Sequence, residues 1–164
     1  MTELYFCKES MRGELLNELL RKRTGKEPRI YRDKNGKPYT EGVFFNLSHS
    51  GGLCVIALSC GDVGADLEVL RGRTHGAILS SLSPRERSEI SCERDFLVHW
   101  TAREAYVKFK GGKLWKYIKR LEFYGGKLYL NGNPVKEDIA FYHTDNAVVA
   151  LCAKDTQFTV VQQT

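Results

Sequence analysis

An α+β fold is what this 164-residue sequence predicts, and three observations carry the prediction. Short runs such as LCVIALS (53–59), VGADLEV (63–69) and AVVALCA (147–153) have the length and residue types of strands. Two longer segments, SMRGELLNELLRKR (10–23) and the stretch Glu93–Lys110, place apolar residues at helical spacing. The order is strand, helix, hairpin, and then strand, two helices and more strands. That order suggests an imperfect duplication with a junction near Gly61. It divides the chain into an N-terminal half, residues 1–60, and a C-terminal half, residues 61–164.

Each element has a local reason. Glu3–Cys7 is a short strand-like run. In the first helix Leu15, Leu16, Leu19 and Leu20 form an apolar stripe, and Gly25 is the stop. The stretch NGKP (Asn35–Pro38) is a turn signal. VFFNL and LCVIALS flank SHSGG and together predict a hairpin with SHSGG as its connection. Val63, Ala65, Leu67 and Val69 alternate with Gly64, Asp66 and Glu68, the period of a strand. SPRE (Ser83–Glu86) combines an N-cap serine, a proline at the first helical position and a glutamate at the third. The long helix ends at Gly111 and Gly112. LEFYGGKLYLNG predicts a second hairpin, and AVVALCA a buried strand.

Composition narrows the function classes. The chain is long enough to bury a core without staples, and no apolar run approaches the roughly 18 residues that span a bilayer. MTELYFCKES lacks the pattern of a secretion signal, so a cytoplasmic location is expected and a membrane partner is not. Cysteines 7, 54, 60, 92 and 152 are odd in number and form no CxxC pair, which argues for reduced thiols, with Cys54 and Cys152 as small core residues. The formal net charge of +5 favours an anionic partner. Nucleic acid is not the expected one, because no helix-turn-helix, zinc-finger or RNA-recognition pattern is present.

Three stretches hold candidate chemistry. On the strand Val63–Val69, Asp66 and Glu68 share a face roughly 7 Å apart. They are either the solvated face of an edge strand or two ligands of a small hard cation. On the long helix, Trp100, Glu104 and Lys108 share a stripe. Glu104 and Lys108 are either an ordinary helix-stabilising pair or, if the helix packs across the strand, additions to the acidic site. Three carboxylates would suit Mg²⁺, and Lys108 could then hold a phosphate. In NLSHSGG, Ser48 and His49 are placed to grip a phosphate or simply to face solvent. They make a poor nucleophilic dyad, since neighbours on a strand point oppositely.

Taken in order, GKP (Gly36–Pro38), FNLSHS (Phe45–Ser50), VGADLE (Val63–Glu68) and FLVHWTAREAYVK (Phe96–Lys108) resemble the motifs of the 4′-phosphopantetheinyl transferases. The likeness is to the two-halved, surfactin-synthetase-activating branch, and it covers nearly the whole chain. It implies two α/β halves related by a pseudo-twofold with the site between them. It implies Mg²⁺-dependent transfer of the 4′-phosphopantetheine arm of coenzyme A to a serine of an acyl, polyketide or peptidyl carrier protein, with release of 3′,5′-ADP. Asp66, Glu68 and Glu104 would be the metal ligands, with Mn²⁺ as the alternative ion. Glu104, directly or through water, and Lys108 would be the catalytic pair. Lys37, Pro38, Ser48, His49 and Lys108 would bind coenzyme A. The basic residues Lys110, Lys113, Lys116, Lys119 and Arg120 would either dock an acidic carrier or form a solvated face.

The chain also departs from that family pattern. Its first half runs almost directly from strand to helix, without a helix usual in longer members and without the basic residues that meet the 3′-phosphate there. A homo-oligomer that covers the exposed core, and a non-catalytic member that binds coenzyme A or a carrier, are therefore the alternatives. Arg103 stands where relatives more often carry lysine.

Overall fold

The computed structural model describes residues 1–73, 76–113, 116, 117 and 119–161. Its elements in order are β1 (Thr2–Lys8), a 3₁₀ turn (Glu9–Met11), α1 (Arg12–Thr24), β2 (Tyr31–Arg32), β3 (Pro38–Tyr39), β4 (Phe44–Ser50), β5 (Leu53–Ser59) and β6 (Val63–Val69). There follow α2 (Gly76–Leu79), α3 (Pro84–Ser88), α4 (Glu93–Phe109), β7 (Leu121–Tyr124), β8 (Lys127–Leu130), β9 (Asn133–Pro134), β10 (Asp138–His143), β11 (Ala147–Ala153) and β12 (Phe158–Val161). Among the described residues no helix is long and apolar enough to cross a membrane.

The two main sheets share one connectivity. The series β1, α1, β4, β5 forms a sheet in the order β1-β5-β4, and the series β6, α4, β10, β11 forms one in the order β6-β11-β10. Within each, the pairings are antiparallel. The C-terminal strand β12 crosses back and pairs in parallel with β1, so the first sheet also draws on the end of the chain.

Alternation along the strands builds the layers. Leu15, Leu16, Leu19 and Leu20 of α1 pack on Phe45, Cys54, Ile56 and Leu58. The opposite faces of the two sheets meet through Leu4, Val55 and Ala57 against Val63, Ala65, Leu67, Val149 and Leu151. Beyond the second sheet, Ala102, Ala105, Tyr106 and Phe109 of α4 cover Ala150 and Cys152. The sequence is therefore helix, sheet, sheet, helix through the thickness of the molecule. The buried thiols of Cys54 and Cys152 lie in these layers, and all five cysteines are free.

Where the sheets adjoin, the free edge of β6 faces β4, and side chains replace a backbone ladder. Asn46 Oδ1 accepts the Ala65 N–H at 2.9 Å, and Ser50 Oγ accepts the Val69 N–H at 3.3 Å. This corrects the expected hairpin. Ser48, His49 and Ser50 belong to β4 rather than to its connection, and the turn is only Gly51–Gly52, with φ of +58° and +83°. Two successive left-handed residues make the tight hairpin turn whose twist matches the strands. The polar residues stay in the strand because their partners on β6 satisfy them.

Most of the predicted ends are observed. Gly25 closes α1 in the left-handed conformation, its N–H bonded to the Arg21 carbonyl. Ser83 and Glu86 form a reciprocal capping box, although α3 is a single short turn. The second hairpin turns at Gly125–Gly126, again with positive φ at both residues.

At Gly64 α4 rests on β6 with no room for a side chain. A Cβ there would lie 2.0 Å from the Ala105 carbonyl oxygen and 2.4 Å from the Phe109 nitrogen. These are backbone atoms of a packed helix and cannot swing aside. Gly64→Ala is therefore expected to cost at least about 3 kcal/mol, a fall in Tm of roughly 6–12 °C, or to yield no folded protein. Thermal unfolding followed by circular dichroism checks it.

Candidate active site

The contact at Gly64 assembles the site. On β6 the residues of the opposite parity to the sheet core, Gly64, Asp66 and Glu68, face α4. On α4 the stripe through Trp100, Glu104 and Lys108 comes down beside them, while Trp100 itself stacks with Phe96. Lys108 Nζ donates to Asp66 Oδ1 at 2.7 Å and to Ser48 Oγ at 2.9 Å. Ser48 in turn donates to the same Asp66 oxygen at 2.8 Å. Glu68 Oε2 accepts the Ser50 hydroxyl at 2.7 Å. Arg71 Nη2 reaches Ser50 Oγ at 3.2 Å from the loop that follows β6.

Asp66 is 4% exposed, and its charge acts on both Glu68 and Glu104. Its Oδ2 is buried without a hydrogen-bond partner among the described residues. A buried carboxylate oxygen with no donor is costly unless a cation or water takes it. An all-oxygen donor set with surplus negative charge suits a hard divalent cation. The described residues do not present a ready-made cage of three His, Cys, Asp or Glu side chains. Here Lys108 holds the cationic position beside Asp66.

Among the residues singled out from the sequence, the structure brings together Ser48, Asp66, Glu68, Glu104 and Lys108. Lys37 and Pro38 adjoin them: with Arg32, Asn46, Lys108 and Gly111 they line a cavity of about 370 Å³. Lys37 also donates to the Phe109 carbonyl at 3.1 Å, capping the end of α4, and burial pushes its ammonium pKa down. A larger cavity of about 630 Å³ lies on the other side of Lys37 and Pro38, toward Phe44, Asp62 and Lys154. His49 stands apart. It shares the α1 side of β4 with Phe45 and Leu47, and its Nδ1 lies 2.9 Å from Glu9 Oε1. The strand period that sends Ser48 to Asp66 sends its neighbour the other way. In the basic run, Lys110 pairs with Glu137 at 2.7 Å and Arg120 bonds Asn131.

Asn46 and Ser50 escaped the reading of the sequence as functional residues. The signal was present, since polar residues recur at 46, 48 and 50 on one face of the strand. The sequence marks Arg103 only as a departure from the family pattern. It proves to be fully buried against Glu86, 1% and 0% exposed respectively.

Residues 62–152 match the family model of the 4′-phosphopantetheinyl transferase superfamily. The 4′-phosphopantetheinyl transferase AcpT of Salmonella typhimurium is 37% identical over 103 residues, 56% of this chain and 54% of that protein. AcpT of Escherichia coli K12 is 30% identical over 145 residues, 81% of this chain and 69% of that protein. The 4′-phosphopantetheinyl transferase of Bacillus subtilis is 31% identical over 85 residues, 46% of this chain and 38% of that protein. The chain therefore spans about half the length of the Salmonella relative in the matched region and about two thirds of the E. coli one.

The electrostatics of the cluster centre on Glu104. Burial first, and then the charges of Asp66 and Glu68, raise its pKa to about 7, against the opposing pull of Lys108. Burial likewise raises that of Glu68, with Asp66 adding to the effect. Because Glu104 binds its proton more tightly folded than unfolded, its contribution to stability is full below about pH 4.5 and is lost as pH rises through about 7. With divalent cations chelated, Glu104→Gln should stabilise the protein at pH 8 by on the order of 2–3 kcal/mol. It should change Tm little at pH 4.5. Thermal melts at the two pH values check the sign.

Proposed function

The chain belongs to the 4′-phosphopantetheinyl transferase superfamily, and from that premise we propose that it transfers the 4′-phosphopantetheine arm of coenzyme A to a serine hydroxyl of a carrier protein. The observation that carries the reading is the union of Asp66, Glu68, Glu104 and Lys108 beside a cavity with a cationic wall of Arg32, Lys37 and Lys108. Phosphoryl-type transfer to an alcohol needs positioning and charge neutralisation more than covalent help.

In this proposal Asp66, Glu68 and Glu104 would hold Mg²⁺ or Mn²⁺. The bound ion would neutralise charge on the coenzyme's pyrophosphate. The serine oxygen attacks the phosphorus attached to the pantetheine arm, the bond to the bridging oxygen breaks, and 3′,5′-ADP leaves. Glu104 receives the serine proton, directly or through one water; a bound cation would keep its carboxylate ionised, which favours the relay through water. Lys108, held by Ser48, faces the departing oxygen as a point charge. The cavity beside Lys37 and Pro38 takes the nucleotide end. The acidic surface of an acyl, polyketide or peptidyl carrier meets the exposed basic run around Lys113 and Lys119. Residues 1–60 and 61–164 are the two halves, and the enzyme works in the cytoplasm.

The test is incubation with coenzyme A, Mg²⁺ and a panel of apo carrier proteins, each carrier then weighed by intact-mass spectrometry. A gain of one phosphopantetheine arm, lost on chelation, is expected. Asp66→Ala and Glu104→Gln should each lower kcat/KM by at least about 100-fold with the circular dichroism spectrum unchanged. Coenzyme A binding without transfer to any carrier would instead mark a non-catalytic member of the family. A wild-type rate in either variant would remove the carboxylate assignment.

A further inference from the structure

On the side of α4 away from β6 lies a second charged group that takes no part in the chemistry above. Glu86 Oε1 accepts Arg103 Nε at 3.1 Å, Arg103 Nη2, and the Phe123 N–H at 2.8 Å. Its Oε2 accepts the Ser83 N–H at 2.9 Å. One carboxylate thereby joins the start of α3, the middle of α4 and the strand β7, and neither partner is more than 1% exposed. A buried ion pair is a poor source of stability, since apolar residues of the same volume usually serve as well. A fork of guanidinium donors on a fixed carboxylate does define direction.

We propose that the Glu86–Arg103 pair is a positioning device that sets the rotation of α4 about its axis and so places Glu104 against Asp66 and Glu68. The inference rests on the function proposed above. Arg103 and Glu104 are consecutive, so their side chains leave the helix about 100° apart. Gly64 sets how closely α4 approaches β6, but contact with a glycine backbone does little to stop the helix from rolling. Arg103, anchored from another direction, supplies the second constraint. With side chains reaching about 5–6 Å from the helix axis, a roll of about 20° would carry the Glu104 carboxylate about 2 Å. Metal–ligand distances tolerate only about 0.2 Å, and outer-shell contacts of this kind typically govern 10–100-fold in metal affinity or activity.

The experiment compares wild type, Arg103→Lys and the double variant Glu86→Leu/Arg103→Met, the last chosen to keep the core packed without the pair. Readouts are Tm, Mn²⁺ affinity of the full chain by titration calorimetry, and kcat and KM for coenzyme A. The expected result is a folded double variant whose Mn²⁺ affinity and kcat fall at least 10-fold while KM for coenzyme A changes less than 3-fold. Arg103→Lys, which keeps the charge but not the fork, should show a loss in the same two quantities, and it is the variant read if the apolar pair does not fold. A folded variant with wild-type Mn²⁺ affinity and kcat overturns the proposal and leaves the pair a packing feature. Failure of the wild type itself to bind Mn²⁺ or to transfer would instead sink the functional reading, so the two failures are told apart.

Discussion

Everything in the site depends on the closeness of α4 to β6 at Gly64. A helix usually packs on a sheet at the distance its side chains allow, about 10 Å between layers. Here the helix backbone stands where a Cβ would be, and the side chains on either side must pass one another rather than interpose. Asp66, next on the same strand face, therefore meets Lys108 directly, and Glu104 lies near enough to feel the charges of Asp66 and Glu68. A larger residue at 64 would hold the helix off and turn a charge cluster into two separate surfaces.

The cluster that results is electrostatically unfinished. Burial raises the proton affinity of Glu104 and Glu68, the charge of Asp66 adds to the effect on both, and the Lys108 ammonium is already committed to Asp66 and Ser48. Such a site gains by taking on positive charge. That property links its cost in stability to its fitness for a cation and an anionic substrate: the carboxylates that strain the fold at high pH are those that a divalent ion would relieve.

The edge of β6 shows how the scaffold accommodates this. Rather than a continuous sheet from β4 to β6, β4 offers Asn46, Ser48 and Ser50. These short polar side chains satisfy backbone N–H groups on one hand and carboxylates on the other. A backbone ladder would have matched the N–H groups alone. Side chains do both, and so the junction between the two sheets is also the wall of the site.

Local pattern alone determined a good deal of this protein. The period of two along Val63–Val69 put Asp66 and Glu68 on one face, and the period of 3.6 along α4 put Trp100, Glu104 and Lys108 on one stripe. Gly25 and the Ser83–Glu86 box announced their helix ends, and the motif order pointed to the family. What the periods could not supply was the partner across each face. That His49 turns away toward Glu9, that the serines sit inside β4, that Lys37 caps α4 and that Arg103 meets Glu86 were settled by tertiary packing. The physical reason is that a repeat along the chain fixes which side chains point together. What they point at is set by contacts between residues distant in sequence, as Lys108 is from Ser48 and Asp66, and only the closed fold brings those within bonding distance.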